Sequence, residues 1–205
     1  MEAMRVIAGL YRSRLLVSPP GTATRPTSDR LRETLFNILS PRLEGSRFVD
    51  LFAGTGAVGI EAISRGAAHV WFAENGIPAL KSLRANLSAL KITRNFTLED
   101  RGATQLLQRL PRLPEPINLL FLDPPYEAEE AYTQTLGFLG SAAGRAALAP
   151  DALVIVEHAT HSKFKLANRY GAITQSRTYK QGDASLAFYS MQEQAQITTG
   201  EGLEE

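Results

Sequence analysis

The chain contains no cysteine and no apolar run long enough to cross a membrane. The first absence excludes disulfides, zinc–thiolate sites and a cysteine nucleophile. A membrane span needs about 20 consecutive apolar residues, and no signal peptide is visible, so we expect a cytoplasmic protein. Histidine is scarce too, and His69, His158 and His161 show no metal-ligand spacing. We therefore predict no metal site and give these histidines no catalytic role.

The formal net charge is only +1 for 205 residues, but the charges are unevenly distributed. Residues 1–47 carry eight arginines and four acids, whereas the C-terminal end is acidic. This asymmetry indicates an end of the chain that binds a polyanion. Taken singly, each arginine is explained equally well by a solvated, salt-bridged surface.

An apolar, strand-like run over residues 119–122 ends at Asp123, Pro124, Pro125 and Tyr126. Proline cannot donate to a sheet, and the residue before a proline avoids the helical region, so the strand ends in a stiff, extended segment. Such a segment suits a flat base with an exocyclic amine, because the carboxylate and the Pro124 carbonyl can each accept one amine N–H. The tyrosine ring can stack on the base. Taken alone, the stretch is equally consistent with a simple proline turn.

An exocyclic amine is a poor nucleophile because its lone pair is delocalised into the base. Two acceptors on its hydrogens favour a pyramidal nitrogen, aim the lone pair at an electrophile and stabilise the developing positive charge. We therefore predict catalytic roles for Asp123, Pro124 and Tyr126, and a substrate contact for Pro125.

Residues 47–62 are typical of a strand, a glycine turn and a helix, with Gly54, Gly56 and Gly59 matching G-x-G-x-x-G. Glu74 ends the next predicted strand, about 20 residues after the first glycine, which is the spacing of a dinucleotide site. A tight turn without any ligand is the competing explanation.

Asp50, which precedes the glycine turn, favours S-adenosylmethionine over a dinucleotide. A carboxylate there would repel a pyrophosphate seated at the helix N-terminus, but it would suit the ammonium of a methionine moiety. Glu74 can accept ribose hydroxyls in either case. We predict that a cofactor site is lined by Asp50, Phe52, Gly54, Gly56 and Glu74.

The third predicted strand, residues 96–100, ends at Asp100, and Gly102 precedes the following helix. We expect Asp100 or the backbone near Gly102 to contact the adenine of the cofactor, because both lie at the carboxyl end of the strand.

Strands alternate with helices along most of the chain, which predicts an α/β fold with a doubly wound, mostly parallel sheet. We expect the last strand, residues 185–190, to run antiparallel to a segment around 173–179. Ligands of such sheets bind across the carboxyl ends of the strands, so the glycine turn and the Asp-Pro-Pro-Tyr stretch should face one cleft.

The N-terminal part contains two basic segments. Residues 5–18 are typical of a hairpin that turns near Arg12, and Arg12 and Arg14 could grip a phosphate backbone. Residues 24–40 are typical of an amphipathic helix whose start carries Arg25, Arg30 and Arg32. The helix macrodipole disfavours cations there, so an anionic partner or the acids of the same segment would offset the cost.

Two of these motifs together resemble a known class of enzymes. Residues 49–56 and the Asp-Pro-Pro-Tyr stretch are similar to S-adenosylmethionine-dependent amino-methyltransferases, which act on amines of adenine, cytosine or guanine. Residues 25–37 and the N-terminal residues 5–9 are more restrictive and resemble the RsmD family. That family methylates N2 of one guanine, conventionally numbered 966, in bacterial 16S rRNA. The resemblance runs from about residue 5 to residue 189.

The resemblance implies a class I methyltransferase fold with a mostly parallel, seven-stranded sheet and an N-terminal β-hairpin. It divides the chain into a hairpin (1–20), a methyltransferase domain (21–191) and a polar tail that we expect to be disordered (192–205). It also implies S-adenosylmethionine as cofactor, and 16S rRNA in the small subunit or its precursor as substrate. We expect a monomer without a metal or membrane partner.

Residue by residue, the resemblance implies that Arg25 and Thr27 close over the cofactor. It implies RNA contacts for Arg30 and Arg32, and the basic hairpin adds Arg12 and Arg14 as predicted RNA contacts. The chain departs from the family at Gly102, where members commonly have an acid or an amide. Three alternatives stay open: a DNA adenine amino-methyltransferase, a non-catalytic RNA-binding assembly factor, and a dinucleotide oxidoreductase.

Overall fold

The computed structural model describes residues 4–19 and 29–191. Its helices and strands follow in the order α1 (Asp29–Leu43), β1 (Arg47–Leu51), α2 (Ala57–Ser64), β2 (His69–Ala73), α3 (Ile77–Ala89), β3 (Phe96–Glu99), α4 (Ala103–Arg109), a 3₁₀ turn (Leu110–Arg112), β4 (Ile117–Leu122), α5 (Glu129–Gly140), α6 (Ala142–Ala147), β5 (Leu148–Ala159), β6 (Arg169–Tyr170), β7 (Ile173–Gln181) and β8 (Ala184–Met191).

All the named strands belong to one sheet with the order β3-β2-β1-β4-β5-β8-β7-β6. Strands β1 to β5 are parallel, and β8, β7 and β6 continue the sheet in antiparallel pairs. The predicted fold class is confirmed, and so is the antiparallel pairing of the last strand with β7. The sheet has eight strands and not seven, because Arg169 and Tyr170 pair with the start of β7.

The sheet is covered by helices on both faces. Side chains of α1, α2 and α3 share one apolar core with Leu119 and Phe121 of β4. Side chains of α4, α5 and α6 share the second core with Leu120 and Leu122. Because β4 is buried on both faces, its sequence from Leu119 to Leu122 is continuously apolar instead of alternating, as is typical of a central parallel strand.

The order of the strands reverses next to β1, which lies between β2 and β4. Leu51, the last residue of β1, is in register with Ala73 of β2 and with Leu122 of β4. The backbone N–H of Asp123 donates to the Leu51 carbonyl at 3.4 Å, which keeps the two chain segments together beyond the strands. A reversal of this kind opens a crevice at the carboxyl ends of the strands, where ligands of α/β sheets bind.

The N-terminal segment folds back on itself through an isolated antiparallel bridge between Arg5 and Leu15. Backbone hydrogen bonds from Val6 to Arg14 and from Leu16 to Met4 flank the bridge, both at 2.9 Å. The predicted domain boundaries stay predictions. Residues 24–28 of the predicted basic helix segment, and the predicted tail at 192–205, lie outside the described residues.

The buried acid Glu61 of α2 fastens this N-terminal segment to the main sheet domain. Its carboxylate accepts the backbone N–H groups of Ile7 and Ala8 at 2.7 and 2.9 Å, and it also accepts Arg65 Nε at 2.6 Å. Gly9 touches α2 so closely that a Cβ atom would lie 1.9 Å from the Ser64 carbonyl oxygen. The docking therefore requires both a carboxylate and a glycine.

We expect Glu61→Ala to lower the free energy of unfolding by about 2–4 kcal/mol, since two amides and one guanidinium lose their buried partner. Urea unfolding followed by circular dichroism measures the change. The exposed acid Glu44 supplies the control, and Glu44→Ala should stay within about 0.5 kcal/mol of the parent protein. Equal stability of the two variants would contradict the anchoring role of Glu61.

Candidate active site

An acid stands at or close to the carboxyl end of each of the five parallel strands. These acids are Asp50 in β1, Glu74 after β2, Glu99 at the end of β3, Asp123 after β4 and Glu157 in β5. Because parallel strands end at the same edge of a sheet, this edge is rich in carboxylates. Such an edge favours a cationic ligand and disfavours a pyrophosphate.

The glycine turn between β1 and α2 has an unusual backbone. Phe52, Gly54 and Gly56 adopt left-handed conformations with φ values of 62°, 57° and 79°. Glycine reaches this region at little cost, whereas a bulky residue such as phenylalanine is strained there. A strained, bulky residue beside a predicted cofactor site is typical of a functional constraint.

The three glycines of the motif serve different needs. A Cβ atom at Gly56 would lie 2.2 Å from Leu83 Cδ1 of α3, and one at Gly59 would lie 2.2 Å from Phe72 Cε1 of β2. These two glycines therefore allow the close packing of α2. At Gly54 a Cβ atom would meet nothing within 4 Å, so this backbone faces open space that a ligand could occupy.

Glu74 holds the glycine turn against the end of β2. One of its carboxylate oxygens accepts the Gly54 N–H at 2.7 Å, and the other accepts the Gly76 N–H at 2.6 Å. Each carboxylate oxygen has a second lone pair, so the same group can also accept a ribose hydroxyl.

Asp50 is almost completely buried, and its Oδ2 accepts the Gly59 N–H at 2.8 Å. Burial raises the pKa of Asp50 to about 7; the hydrogen bond from Gly59 opposes the rise and the negative charge of Glu74 adds to it. A bound cation would favour the ionised form of this acid. Asp50, Glu74 and the open backbone at Gly54 thus fit the ammonium and ribose groups of S-adenosylmethionine, whereas a pyrophosphate would meet two carboxylates.

The two neighbouring acids at the end of β3 have different surroundings. Asp100 is exposed and forms an ion pair with Arg84 Nη2 at 2.9 Å, whereas the buried acid is its neighbour Glu99. Hydrogen bonds from Arg101, together with Arg109, lower the pKa of Glu99 to about 2. The predicted adenine contact of Asp100 stays a prediction.

Gly102, between β3 and α4, packs close to the segment that follows β2. It has a φ of 98°, and a Cβ atom there would lie 3.1 Å from Nδ2 of Asn75, the residue that follows Glu74. The backbone at Gly102 therefore lies beside the segment that follows Glu74, whereas Asp100 pairs with Arg84 of α3.

The Asp-Pro-Pro-Tyr stretch follows β4 as a non-helical segment. Pro124 is buried, Pro125 is exposed, and Asp123 and Tyr126 are half-buried. The Tyr126 hydroxyl lies 3.4 Å from Oε1 of Glu157 on the neighbouring strand. The stretch therefore combines a half-buried carboxylate and a half-buried ring at the edge that carries the glycine turn.

Two residues that the sequence analysis did not single out support this stretch. The hydroxyl of Tyr132 in α5 lies 3.2 Å from the Pro124 carbonyl and 3.1 Å from the Glu157 carbonyl. Burial, with the nearby charge of Asp123, raises the pKa of Tyr132, so its hydroxyl stays a donor. The sequence does mark Glu157 as unusual, because this acid follows directly on the apolar run of β5.

The predicted RNA-contact arginines are placed differently from one another. Arg12, Arg14 and Arg30 are exposed, and Arg12 and Arg30 line one groove of about 500 Å³ between the N-terminal turn and α1. Arg32 is fully buried; its Nη2 donates to Asp29 Oδ1 at 2.9 Å and to the backbone carbonyl of Arg5. In this arrangement Arg32 packs inside the protein and presents no surface to RNA.

Two of the predicted cofactor residues, Arg25 and Thr27, lie outside the described residues. Over residues 4–19 and 29–191, no cluster of three or more His, Cys, Asp and Glu side chains is arranged to hold a metal. Within the same residues, no helix is both long and apolar enough to cross a membrane.

We expect Asp50→Asn to become more stable, relative to the parent protein, as the pH rises. The ordinary pKa of this acid is 3.8 and its folded value is about 7, so the folded parent protein binds more protons between these values. Its stability therefore falls as the pH rises through that window, and asparagine removes this loss while it can still accept the Gly59 N–H. Urea unfolding of both proteins at pH 5 and pH 8 measures the difference, and a pH-independent difference would contradict the account.

Comparisons with known proteins identify the family and the fold. Residues 4–190 match the model of a protein family described as conserved hypothetical protein 95. The chain is 36% identical over 154 residues to ribosomal RNA small subunit methyltransferase D of Escherichia coli. The aligned residues cover 75% of this chain and 74% of that protein. The chain is 32% identical over 186 residues to YlbH of Bacillus subtilis, which covers 91% of this chain and 98% of the relative.

A solved structure gives the same result for the fold. The Escherichia coli protein yhhF superimposes with a TM-score of 0.76 at 29% sequence identity, and the match covers 94% of this chain and all of that one. The match of the family model to nearly the whole chain, together with these relatives, confirms the resemblance seen in the sequence. The chain belongs to the RsmD family and has the Rossmann-like fold of S-adenosylmethionine-dependent methyltransferases.

Proposed function

We propose that this protein transfers a methyl group from S-adenosylmethionine to the exocyclic N2 amine of a guanine in 16S rRNA. The acceptor would be the small ribosomal subunit or an assembly intermediate. The observation that carries the proposal is the pairing of β1 with β4, which brings the glycine turn and the Asp-Pro-Pro-Tyr stretch to one edge. The relatives named as small subunit methyltransferases support the target.

The cofactor would lie over the glycine turn. Asp50 would bind its ammonium group, Glu74 its ribose hydroxyls, and the Gly54 backbone would allow the close approach. Phe52 and Gly56 would shape the turn, and Gly102 would lie near the adenine. When bound, S-adenosylmethionine supplies an electrophilic methyl group on a sulfonium, so we propose that the reaction needs no metal.

The acceptor base would lie over the Asp-Pro-Pro-Tyr stretch. Asp123 and the Pro124 carbonyl would accept the two hydrogens of the amine and direct its lone pair towards the methyl group. Tyr132 would hold the Pro124 carbonyl in place, since its hydroxyl lies 3.2 Å away. Asp123 acts here as a positioning acceptor. In the transfer, the amine nitrogen would form a bond to the methyl carbon as the carbon–sulfur bond breaks, S-adenosylhomocysteine would be the leaving group, and a proton of the amine would pass to solvent.

The target base has to leave its stack to reach this edge. Unstacking costs a few kcal/mol, and the ring of Tyr126 would replace part of the lost stacking. Exposed Pro125 would contact the neighbouring nucleotide, because it extends from the same stiff segment.

The basic N-terminal part would hold the rRNA backbone. Arg12 and Arg30 share a groove, and Arg14 is exposed next to the same turn. Contacts to phosphates position a protein on RNA without reading its sequence, so these arginines would orient the small subunit towards the site. A ribosomal substrate also assigns the reaction to the cytoplasm, and we propose that a monomer carries it out.

Three acceptors distinguish this function from its rivals. We expect label from S-adenosylmethionine to enter unmethylated small ribosomal subunits as N2-methylguanine, with less transfer to naked 16S rRNA and none to double-stranded DNA. Asp123→Ala should lower transfer by roughly 100-fold or more, because the amine loses a transition-state acceptor. Its affinity for S-adenosylmethionine, measured by calorimetry, should stay within about 3-fold of the parent value, a change of less than 1 kcal/mol.

The matched control is Asp151→Ala, which removes an exposed aspartate at the start of β5, away from the carboxyl edge. It should leave both transfer and cofactor affinity unchanged. Label found only in DNA would keep the cofactor site and refute the rRNA target. Normal turnover by Asp123→Ala would refute the role of the Asp-Pro-Pro-Tyr stretch.

A further inference from the structure

We infer that Glu157 determines which base the site accepts, and that its carboxylate accepts the ring N1–H of the target guanine. This inference rests on the proposed function and deepens it. In the proposed site, Asp123 and the Pro124 carbonyl bind the N2 amine. The ring N1–H is the neighbouring donor on the same edge of guanine, and it needs an acceptor of its own.

The sheet register places Glu157 next to Asp123. Leu122 of β4 is in register with Val156 of β5, so the two acids that follow them are neighbours on adjacent parallel strands. Such strands lie about 4.8 Å apart. Phe121 and Ile155, two residues before each acid, belong to the same apolar core. Because side chains alternate along a strand, the two acids start from the same face of the sheet.

Contacts join Glu157 to the other groups of the proposed base site. Its Oε1 lies 3.4 Å from the hydroxyl of Tyr126, the ring proposed to stack on the base. Its backbone carbonyl lies 3.1 Å from the Tyr132 hydroxyl, which also contacts the Pro124 carbonyl at 3.2 Å. The Tyr132 hydroxyl thus lies between the two carbonyls and can donate its single hydrogen to either, which places the backbone of Glu157 beside the proposed amine acceptor.

Burial makes this acid selective for a hydrogen-bond donor. Glu157 is only 3% exposed, so little water is available to solvate its carboxylate. A buried charge is costly unless hydrogen-bond donors surround it. In the base-free protein the Tyr126 hydroxyl is a donor within reach, and base binding would bring the N1–H to the same carboxylate.

Guanine, adenine and cytosine all carry an exocyclic amine, but they differ at the ring nitrogen beside it. Guanine presents an N–H donor there, whereas adenine and cytosine present a nitrogen lone pair. A carboxylate accepts the donor and repels the lone pair, so one side chain both selects guanine and rejects the other two. Asp123 and Pro124 alone would bind any of these amines, which is why a second acid is needed for the choice.

The test separates the N1–H from the N2 amine. Small subunits are reconstituted with 16S rRNA that carries guanine, 2-aminopurine or 7-deazaguanine at the methylated position. The second base keeps the N2 amine but lacks the N1–H and the neighbouring O6, and the third keeps all three groups. The Glu157 variants then show how much of the preference comes from the N1–H. We expect the parent protein to prefer guanine over 2-aminopurine by roughly 100-fold or more in kcat/KM, because the analogue presents a ring nitrogen lone pair to the carboxylate where guanine presents a donor. Guanine and 7-deazaguanine should react alike.

Glu157→Ala should lower transfer to guanine but not to 2-aminopurine, so that the preference falls to within about 3-fold. Glu157→Gln keeps the shape and one acceptor oxygen, and it should give an intermediate preference. Glu127→Gln removes a charge from an exposed neighbour of Tyr126 and should keep the full preference. Binding of S-adenosylmethionine, measured by calorimetry, should be equal in all four proteins.

The outcomes distinguish the two proposals. An undiminished preference for guanine in Glu157→Ala and Glu157→Gln would overturn the role of Glu157 while leaving the methyltransferase function intact. Absence of transfer to guanine by the parent protein would overturn the proposed function itself. If the alanine variant does not fold, the isosteric glutamine variant decides the question by the same ratio.

Discussion

The parallel pairing of β1 with β4 is the interaction on which the proposed site depends. Leu51 and Leu122 end these strands in register, and the Asp123 N–H still donates to the Leu51 carbonyl beyond them. The glycine turn and the Asp-Pro-Pro-Tyr stretch, more than 60 residues apart in sequence, therefore leave the sheet side by side. Because both strands are buried between two layers of helices, the register is strongly fixed, and the distance between the proposed cofactor site and the proposed base site is fixed with it.

Carboxylates give this edge its chemical character. A residue such as Asp50, buried and with its pKa raised to about 7, is costly for the folded protein, and the fold retains it beside a strained turn at Phe52. Costs of this kind are expected at functional sites, where the geometry serves a ligand more than the free energy of folding. In the proposed site a cationic cofactor would offset these costs, because its charge would favour the ionised acids, whereas a pyrophosphate would be repelled.

The sequence predicted the fold class, the parallel core and the two motifs, because glycines, prolines and apolar runs have strong local conformational preferences. The sequence was less informative about the burial and ion pairs of individual side chains, because these depend on tertiary contacts. Asp100 and Glu99 are adjacent, and only the packing makes one an exposed partner of Arg84 and the other a buried partner of two arginines. The same holds for Arg32, whose burial against Asp29 depends on the docked N-terminal segment. Glu157 and Tyr132 join the proposed site through the neighbouring strand and helix. The apolar run before Glu157 draws attention to this acid, but no spacing in the sequence places either residue beside the Asp-Pro-Pro-Tyr stretch.

The charge of the carboxyl edge is the central claim, and ligand binding tests it most directly. The unaltered protein is titrated in a calorimeter with S-adenosylmethionine and, separately, with NAD⁺. Both ligands contain adenosine, but the first carries a cationic methionine moiety and the second a pyrophosphate. We predict measurable binding of S-adenosylmethionine and none of NAD⁺ under the same conditions. Equal or tighter binding of NAD⁺ would contradict the account, because the acids at the strand ends would then not select the ligand.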